Sequence, residues 1–174
     1  MRGSSIWLAV ALAGCQPNTG RPVFNPLPES AGIEVRLSPR DATRHLADAL
    51  RARSVPVSKV LPRDGYLESG WFDAKTGKPR KNPMGTGTVR VRAWADPARP
   101  GSSQLAVETA YRPLADPSLP QRELEREVPA NHPVAVKVDS ILQELVKRFG
   151  GPPPPQIPAP TQAPAAGNES PNDQ

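Results

Sequence analysis

Few side chains of this 174-residue chain have the chemistry of a catalytic centre. His45 and His132 are the two imidazoles, and two isolated histidines do not have the spacing of a metal site. His45 lies within a predicted helix, where an exposed histidine is the simplest interpretation, and His132 directly precedes Pro133, where it is expected to begin a helix. Arginines and glutamates over residues 122–127 predict a solvated helical turn with local ion pairs. We therefore expect a protein that is not an enzyme and that uses no metal or other cofactor.

The single cysteine has a more informative position. A basic start at Arg2 and an apolar run over residues 6–12 are typical of a signal peptide, and the run is too short for a membrane-spanning helix. The run closes in Leu12-Ala13-Gly14-Cys15, which resembles the lipobox of bacterial lipoproteins. The resemblance implies that residues 1–14 are removed as a signal peptide and that Cys15 receives acyl chains. A buried apolar segment with an inert cysteine is the alternative interpretation.

Lipidation at Cys15 would attach the protein to a bilayer surface, because two or more acyl chains hold a protein stably there. In Gram-negative lipoproteins an aspartate directly after the cysteine often retains the protein at the inner membrane. Gln16 occupies that position here. The resemblance therefore implies a location in the cell envelope, on the outer membrane and facing the periplasm.

Composition divides the mature chain into three parts. Prolines and polar residues predict a flexible tether over residues 15–31, and a glycine followed by four prolines opens a Pro-rich tail over residues 151–174 that we expect to be disordered. The tail would be a spacer or, alternatively, a docking strip for a proline-binding partner. Residues 32–150 have the length of one modest domain.

The chain has 22 basic and 17 acidic residues; Arg2 precedes the tether, and Glu169 and Asp173 lie in the tail, so 21 basic and 15 acidic residues remain. This excess of positive charge suits anionic lipid headgroups as partners, with ordinary solubility of an arginine-rich chain as the alternative, whereas export from the cell argues against nucleic acid.

Periodicity predicts an α+β domain. A strand over residues 33–37 precedes a helix that begins after Ser38-Pro39, two short strands follow between residues 55 and 73, and the last helix runs from Pro133 to Gly150. Together with a hairpin described next, this gives the order β-α-β-β-β-β-α, with an antiparallel sheet of about four or five strands and two main helices.

The hairpin joins strands over residues 88–95 and 104–111. Both strands have their apolar residues at odd positions, so one allowed register pairs Arg92 with Glu108 and Ala93 with Val107. The charged pair is then expected on the face opposite the core, together with Trp94.

That element order behind a lipidated cysteine resembles the helix-grip domains of the BamC family of outer-membrane assembly lipoproteins. The resemblance covers roughly residues 32–150 and is one of topology and context. It implies a binding or scaffolding role without catalytic residues. The chain departs from that family in having one candidate domain where the family has two.

Two groups of residues are candidates for partner binding. Trp94 shares its face with Arg90 and Arg92, and a tryptophan among charges can anchor a partner, although core packing under a loop is the alternative. The basic loop around Lys78, Arg80 and Lys81 can contact anionic headgroups, with a solvated hairpin loop as the alternative.

The expected function is therefore that of a lipid-anchored protein whose domain binds a protein partner in envelope assembly or maintenance. A carrier or sensor of an apolar or lipid ligand is the alternative. A deep apolar cavity under Val138, Ile141 and Leu145 favours the carrier, whereas a filled core favours the partner-binding protein.

Overall fold

The computed structural model describes residues 19–150. The predicted signal peptide, Cys15 and the Pro-rich tail lie outside this range. The described elements, in chain order, are β1 (Ala31–Val35), α1 (Pro39–Ala52), β2 (Lys59–Leu61), β3 (Tyr66–Glu68), β4 (Phe72–Asp73), β5 (Thr88–Pro97), β6 (Ser103–Tyr111), β7 (Arg126–Glu127) and α2 (Pro133–Phe149), with single 3-10 turns at Pro62–Asp64 and Gln121–Leu124.

The strands form one antiparallel sheet in the order β1-β6-β5-β3-β2, to which β4 is added beside β5 and β7 beside β6. Both helices pack on the same sheet, α1 against β5 and β6 and α2 against β1 and β6. The predicted α+β class, with an antiparallel sheet and two helices, is confirmed. The strand number is seven rather than four or five, and two of the strands, β4 and β7, are only two residues long.

The predicted hairpin register is confirmed residue by residue. Arg92 pairs with Glu108 and Ala93 with Val107 across β5 and β6. The odd-numbered Val91 and Val107 lie in one hydrophobic core with Leu142 of α2, as the alternation requires.

Each helix begins where its capping residues stand. The Ser38 hydroxyl accepts a hydrogen bond from the Asp41 N–H (3.2 Å) and Pro39 opens α1. His132 has the same role in α2, because its Nδ1 accepts from the Val134 N–H at 3.2 Å. Gly150 ends α2 in extended rather than left-handed backbone, and a Cβ at this residue would collide with the Val146 carbonyl oxygen.

The second face of the sheet is covered, which corrects two expectations. Trp94 and Arg92 point away from the helices as predicted, but they are only 1% and 2% exposed. The cover includes residues 19–30, which were expected to be a flexible tether: Phe24 packs edge-on against Trp94, and the Leu27 N–H donates to Glu108 at 2.9 Å. These contacts bury the face because an aromatic ring and backbone donors complement the groups that strand alternation directs outward.

Two smaller expectations are also wrong. His45 is half-buried rather than exposed, since its ring packs against Phe149 at 4.7 Å. The segment 122–127 is not a solvated turn, because Glu125 is 2% exposed and pairs with arginines of the sheet. The alternation of charge along this segment correctly indicated ion pairs. It did not indicate that Glu125 pairs with arginines of distant strands.

Gly65 provides a test of the packing between the β2–β3 connection and β5. Its φ is +61°, and a Cβ there would overlap the Ala95 carbonyl oxygen. Gly65→Ala is expected to lower the free energy of unfolding by about 2–4 kcal/mol, because left-handed strain and a backbone clash add. Urea unfolding of the purified chain measures the change.

Gly85→Ala is the matched control for Gly65→Ala. Gly85 also has a positive φ (+68°), but no atom lies within 4 Å of the position of its Cβ. Equal losses of stability in the two variants would contradict a close approach of Gly65 to β5.

Candidate functional site

The outer face of the sheet is built by alternate residues of two neighbouring strands. Arg90, Arg92 and Trp94 project from β5, and Glu108 projects from β6 opposite Arg92. The turn at Gln121–Leu124 and the segment 19–30 close over them. We use the name outer-face cluster for the four arginines of this face together with the carboxylates and aromatic rings that contact their guanidinium groups. Its members are Phe24, Trp71, Arg90, Arg92, Glu108, Arg112, Arg122 and Glu125.

Arg92 lies at the centre of the outer-face cluster between two buried carboxylates. Its Nε is 2.6 Å from Glu108 Oε1, and its Nη2 contacts Glu125. Arg122 joins the same carboxylates, with both Nη atoms within 2.9 Å of Glu108 and Nη1 at 3.1 Å from Glu125. The pairs offset the cost of burying the charges, which would be several kcal/mol for an unpaired guanidinium.

The other two arginines of the cluster are less well neutralised. Arg90 and Arg112 each approach Glu125 only to 3.7 Å, and the Nε of each is buried without a hydrogen-bond partner among residues 19–150. Their guanidinium groups lie 4.8 and 4.9 Å from the centre of the Trp71 ring. Stacking on the Trp71 ring therefore compensates in part for the missing carboxylate. Burial of the guanidinium group lowers the pKa of Arg90.

Phe24 has the same relation to the other pair of arginines. The guanidinium carbons of Arg92 and Arg122 lie 4.9 and 4.5 Å from its ring centre. Arg122 also donates to the Asn25 carbonyl oxygen at 2.6 Å. One half-buried aromatic residue thus attaches the N-terminal segment to the sheet.

A small basic pocket opens at the edge of this cluster, with a volume of about 210 Å³. Its charged walls are Arg21, Lys59, Glu68, Arg90 and Arg92. Asp96 pairs with Arg21, and Glu108 and Glu125 pair with Arg92, so Lys59 and Arg90 remain as two cations facing one carboxylate. We call it the basic pocket. Such an excess of positive charge favours an anionic group.

An apolar groove of about 550 Å³ lies between two loops at the start of β5 and the end of β6. Met84, Leu114 and Leu119 line it and are among the most exposed large apolar side chains of residues 19–150. Arg112 and Gln121 hydrogen-bond to each other at 2.7 Å in its wall. Clustered exposed apolar side chains are typical of interaction surfaces.

A third groove, of about 470 Å³, separates the first turns of α2 from β6 and β7. Glu127 lines it, with Oε1 accepting from the Thr109 N–H at 2.6 Å and Oε2 buried without a hydrogen-bond partner among the described residues. Burial raises the pKa of Glu127 to about 8, and the charges of Glu108 and Glu29 add to the shift. We therefore expect this carboxyl group to be mostly protonated at neutral pH.

The structure separates the residues proposed for partner binding. Arg90 and Arg92 belong to the outer-face cluster, and buried Trp94 packs against Phe24 and Tyr66 rather than facing a partner. Lys78, Arg80 and Lys81 are exposed on the loop between β4 and β5, where Arg80 pairs with Asp73 at 2.8 Å and holds the pKa of that carboxyl below its usual range.

Sequence reasoning missed the residues that complete the outer-face cluster and the basic pocket. Phe24 was overlooked because it is a single aromatic residue among prolines, and Lys59 because a short strand gives no periodic signal. Glu125 was assigned to solvent from its charged neighbours. One signal was available in the sequence. Two arginines, Arg90 and Arg92, occupy even positions of β5, and two positive charges on one face of a strand require acidic partners on that face.

Within residues 19–150, no group of three or more histidine, aspartate or glutamate side chains could hold a metal ion. In the same range, no helix has the length and apolar character needed to cross a membrane. No protein-family model matches this chain, and no curated protein matches it.

Phe24 is expected to bind the N-terminal segment to the domain. Phe24→Ala should lower the free energy of unfolding by about 2 kcal/mol, because it removes a half-buried ring and its contacts with two guanidinium groups. Val23→Ala is the matched control, since the Val23 side chain is fully exposed. Thermal unfolding that is equally unaffected in both variants would contradict the packing of this segment on the sheet.

The protonated state of Glu127 predicts a pH dependence of stability. The folded state binds this proton more tightly than an unfolded chain, in which the pKa of glutamate is 4.5, so the free energy of unfolding should fall as the pH rises from about 4.5 to about 8. Glu127→Gln remains neutral and keeps an oxygen for the Thr109 N–H. The variant should therefore lose this part of the pH dependence and be the more stable protein above pH 8.

Melting temperatures between pH 5 and pH 9 measure the effect of Glu127→Gln, with Glu123→Gln as the control at an exposed position. Parallel curves for wild type and Glu127→Gln would show that Glu127 is charged in the folded state at neutral pH, contrary to the prediction.

Proposed function

We propose that this chain is a lipid-anchored, non-enzymatic protein of the bacterial cell envelope whose α+β domain binds a protein partner. The anchor is Cys15, and the outer membrane is its location. The observation that carries the binding role is the apolar groove formed by Met84, Leu114 and Leu119.

The charges around the apolar groove favour a partner of defined chemistry. Arg112 lies in its wall, and Arg80 and Lys81 precede the loop that forms one side. Asp116 is the one acid in the lining, and hydrogen bonds from the Ser118 hydroxyl (2.6 Å) and N–H (2.9 Å) hold its pKa below the usual range, so it keeps its negative charge. The cations Arg112, Arg80 and Lys81 outnumber it. The proposed occupant is a protein segment that presents apolar side chains flanked by acidic residues.

The packing of α2 favours this role over that of a lipid carrier. Ile141 and Leu145 are buried in the core and line neither the basic pocket, nor the apolar groove, nor the groove beside Glu127. Val138 alone of the three residues borders the groove beside Glu127. A carrier remains the second candidate because that groove is lined mainly by apolar side chains, including Ala31 and Val107.

The test is crosslinking in native membranes followed by purification of the chain, comparing wild type with Leu119→Asp. A charge in the apolar groove should abolish a crosslinked partner that wild type retains, because the partner's apolar side chains would face a carboxylate. Val136→Asp is the matched control, since Val136 is equally an exposed apolar residue but does not line the groove.

Cys15→Ser addresses the anchor in the same experiment. It should leave the chain without fatty-acid label and abolish its retention in membranes through acyl chains. The proposal is overturned if Leu119→Asp keeps every partner of wild type, or if Cys15→Ser is labelled like wild type.

A further inference from the structure

The charges of the outer-face cluster do not balance within the domain. Two carboxylates, Glu108 and Glu125, accept contacts from all four arginines, and Glu125 alone lies within 4.0 Å of each of them. Arg90 has no carboxylate of its own: its nearest acidic atom is the shared Glu125 Oε1 at 3.7 Å. The positive charge of Arg90 is therefore only partly compensated, and Arg90 lines the basic pocket.

The second cation of the basic pocket is also weakly paired. Lys59 Nζ is 4.0 Å from Glu68 Oε1 and donates to the Gly20 carbonyl oxygen at 3.0 Å. Glu68 in turn accepts from the Tyr66 hydroxyl at 2.8 Å. By contrast, Arg21 on the rim is fully paired, since both of its Nη atoms bind Asp96.

The size and donors of the basic pocket define its ligand. At about 210 Å³ it is smaller than the roughly 300 Å³ at which drug-sized ligand sites begin, so it admits a small anionic group. The Arg90 side chain, which is 23% exposed, and the Lys59 ammonium group line the pocket and are donors of the kind that phosphate oxygens accept. The aromatic ring of Tyr66 lies beneath Lys59, 5.9 Å from its Nζ.

We infer that the basic pocket binds a phosphate group, through Lys59 and Arg90. The pocket lies close to the proposed anchor, because Gly20 lines it and is five residues from Cys15, a distance that a fully extended chain spans in at most about 18 Å. The phosphate of an anionic lipid headgroup in the same membrane is thus within reach. Only this choice of source depends on the proposed function; the binding of phosphate does not.

The test uses the full chain with Cys15→Ser, so that no acyl chain contributes. Melting temperatures are compared in sodium phosphate and in sodium chloride of equal ionic strength for the parent chain, Lys59→Gln, Arg90→Gln and Lys81→Gln. Relative to chloride, phosphate should raise the melting temperature of the parent chain and of Lys81→Gln. This rise should exceed the rise in Lys59→Gln and Arg90→Gln by about 3 °C or more. The comparison between variants removes the general stabilisation that phosphate gives to any protein.

Lys59→Gln and Lys81→Gln make the same change of charge, one in the basic pocket and one on the exposed β4–β5 loop. If Arg90→Gln does not fold, because Arg90 is half-buried on Trp71, Lys59→Gln decides the result. Equal shifts in all the proteins, or no shift in the parent chain, would overturn the inference.

Cosedimentation with vesicles then distinguishes the source of the phosphate. Binding to phosphatidylcholine vesicles that contain phosphatidylglycerol should be weaker for Lys59→Gln than for Lys81→Gln if the ligand is a lipid headgroup. Equal vesicle binding, with the phosphate effect still lost in Lys59→Gln, would assign the pocket to a soluble phosphate compound. Neither outcome depends on Cys15 or on the apolar groove, so failure of the proposed function would be detected separately.

Discussion

The burial of Arg92 between Glu108 and Glu125 is the interaction on which the outer half of this domain depends. A guanidinium group at the centre of a sheet loses its hydration and must be paired on both sides. Glu108 comes from the neighbouring strand, whereas Glu125 directly follows the turn at Gln121–Leu124 and lies fourteen residues beyond the end of β6 in the chain. Because both carboxylates are themselves buried, a further layer must cover them, and residues 19–30 supply it.

The same interaction explains why the domain has a site on this face. Four guanidinium groups share two carboxylates, and the rings of Phe24 and Trp71 take the place of further acids. A ring face attracts a cation by about 0.5–2 kcal/mol, but it does not cancel the charge. Of the two arginines that approach Glu125 only to 3.7 Å, Arg90 lines the basic pocket together with Lys59, and Arg112 lines the apolar groove.

The sequence was sufficient for the local and pairwise features of the fold. Strand alternation led to the pairing of Arg92 with Glu108, and the capping residues Ser38 and His132 marked the helix starts. Alternation reports which face a side chain takes, but it does not report what covers that face. A buried ion-paired face and a solvated polar face have the same pattern, so Trp94 could not be distinguished from an exposed anchor.

The segment that covers the outer face could not be identified for a related reason. Residues 19–30 contain no regular strand or helix, and their contacts, such as that of Arg21 with Asp96 75 residues away, are long-range. A proline-rich composition predicts extended backbone but does not distinguish a free tether from an extended segment that packs. Here the segment packs, because the Phe24 ring lies against two guanidinium groups and the contacts of Arg21 and Leu27 with Asp96 and Glu108 add to it.

The arrangement of the surfaces along β5 relates them to the proposed anchor. Arg21 pairs with Asp96 near the last residues of the strand, whereas Met84 and the apolar groove precede its first residue. Ten residues of strand span about 30 Å. If Cys15 is the membrane anchor, as proposed, the few residues between it and Gly20 would keep that end of β5 near the bilayer. The apolar groove would then lie at the end of the strand away from the proposed attachment point, where a protein partner could reach it.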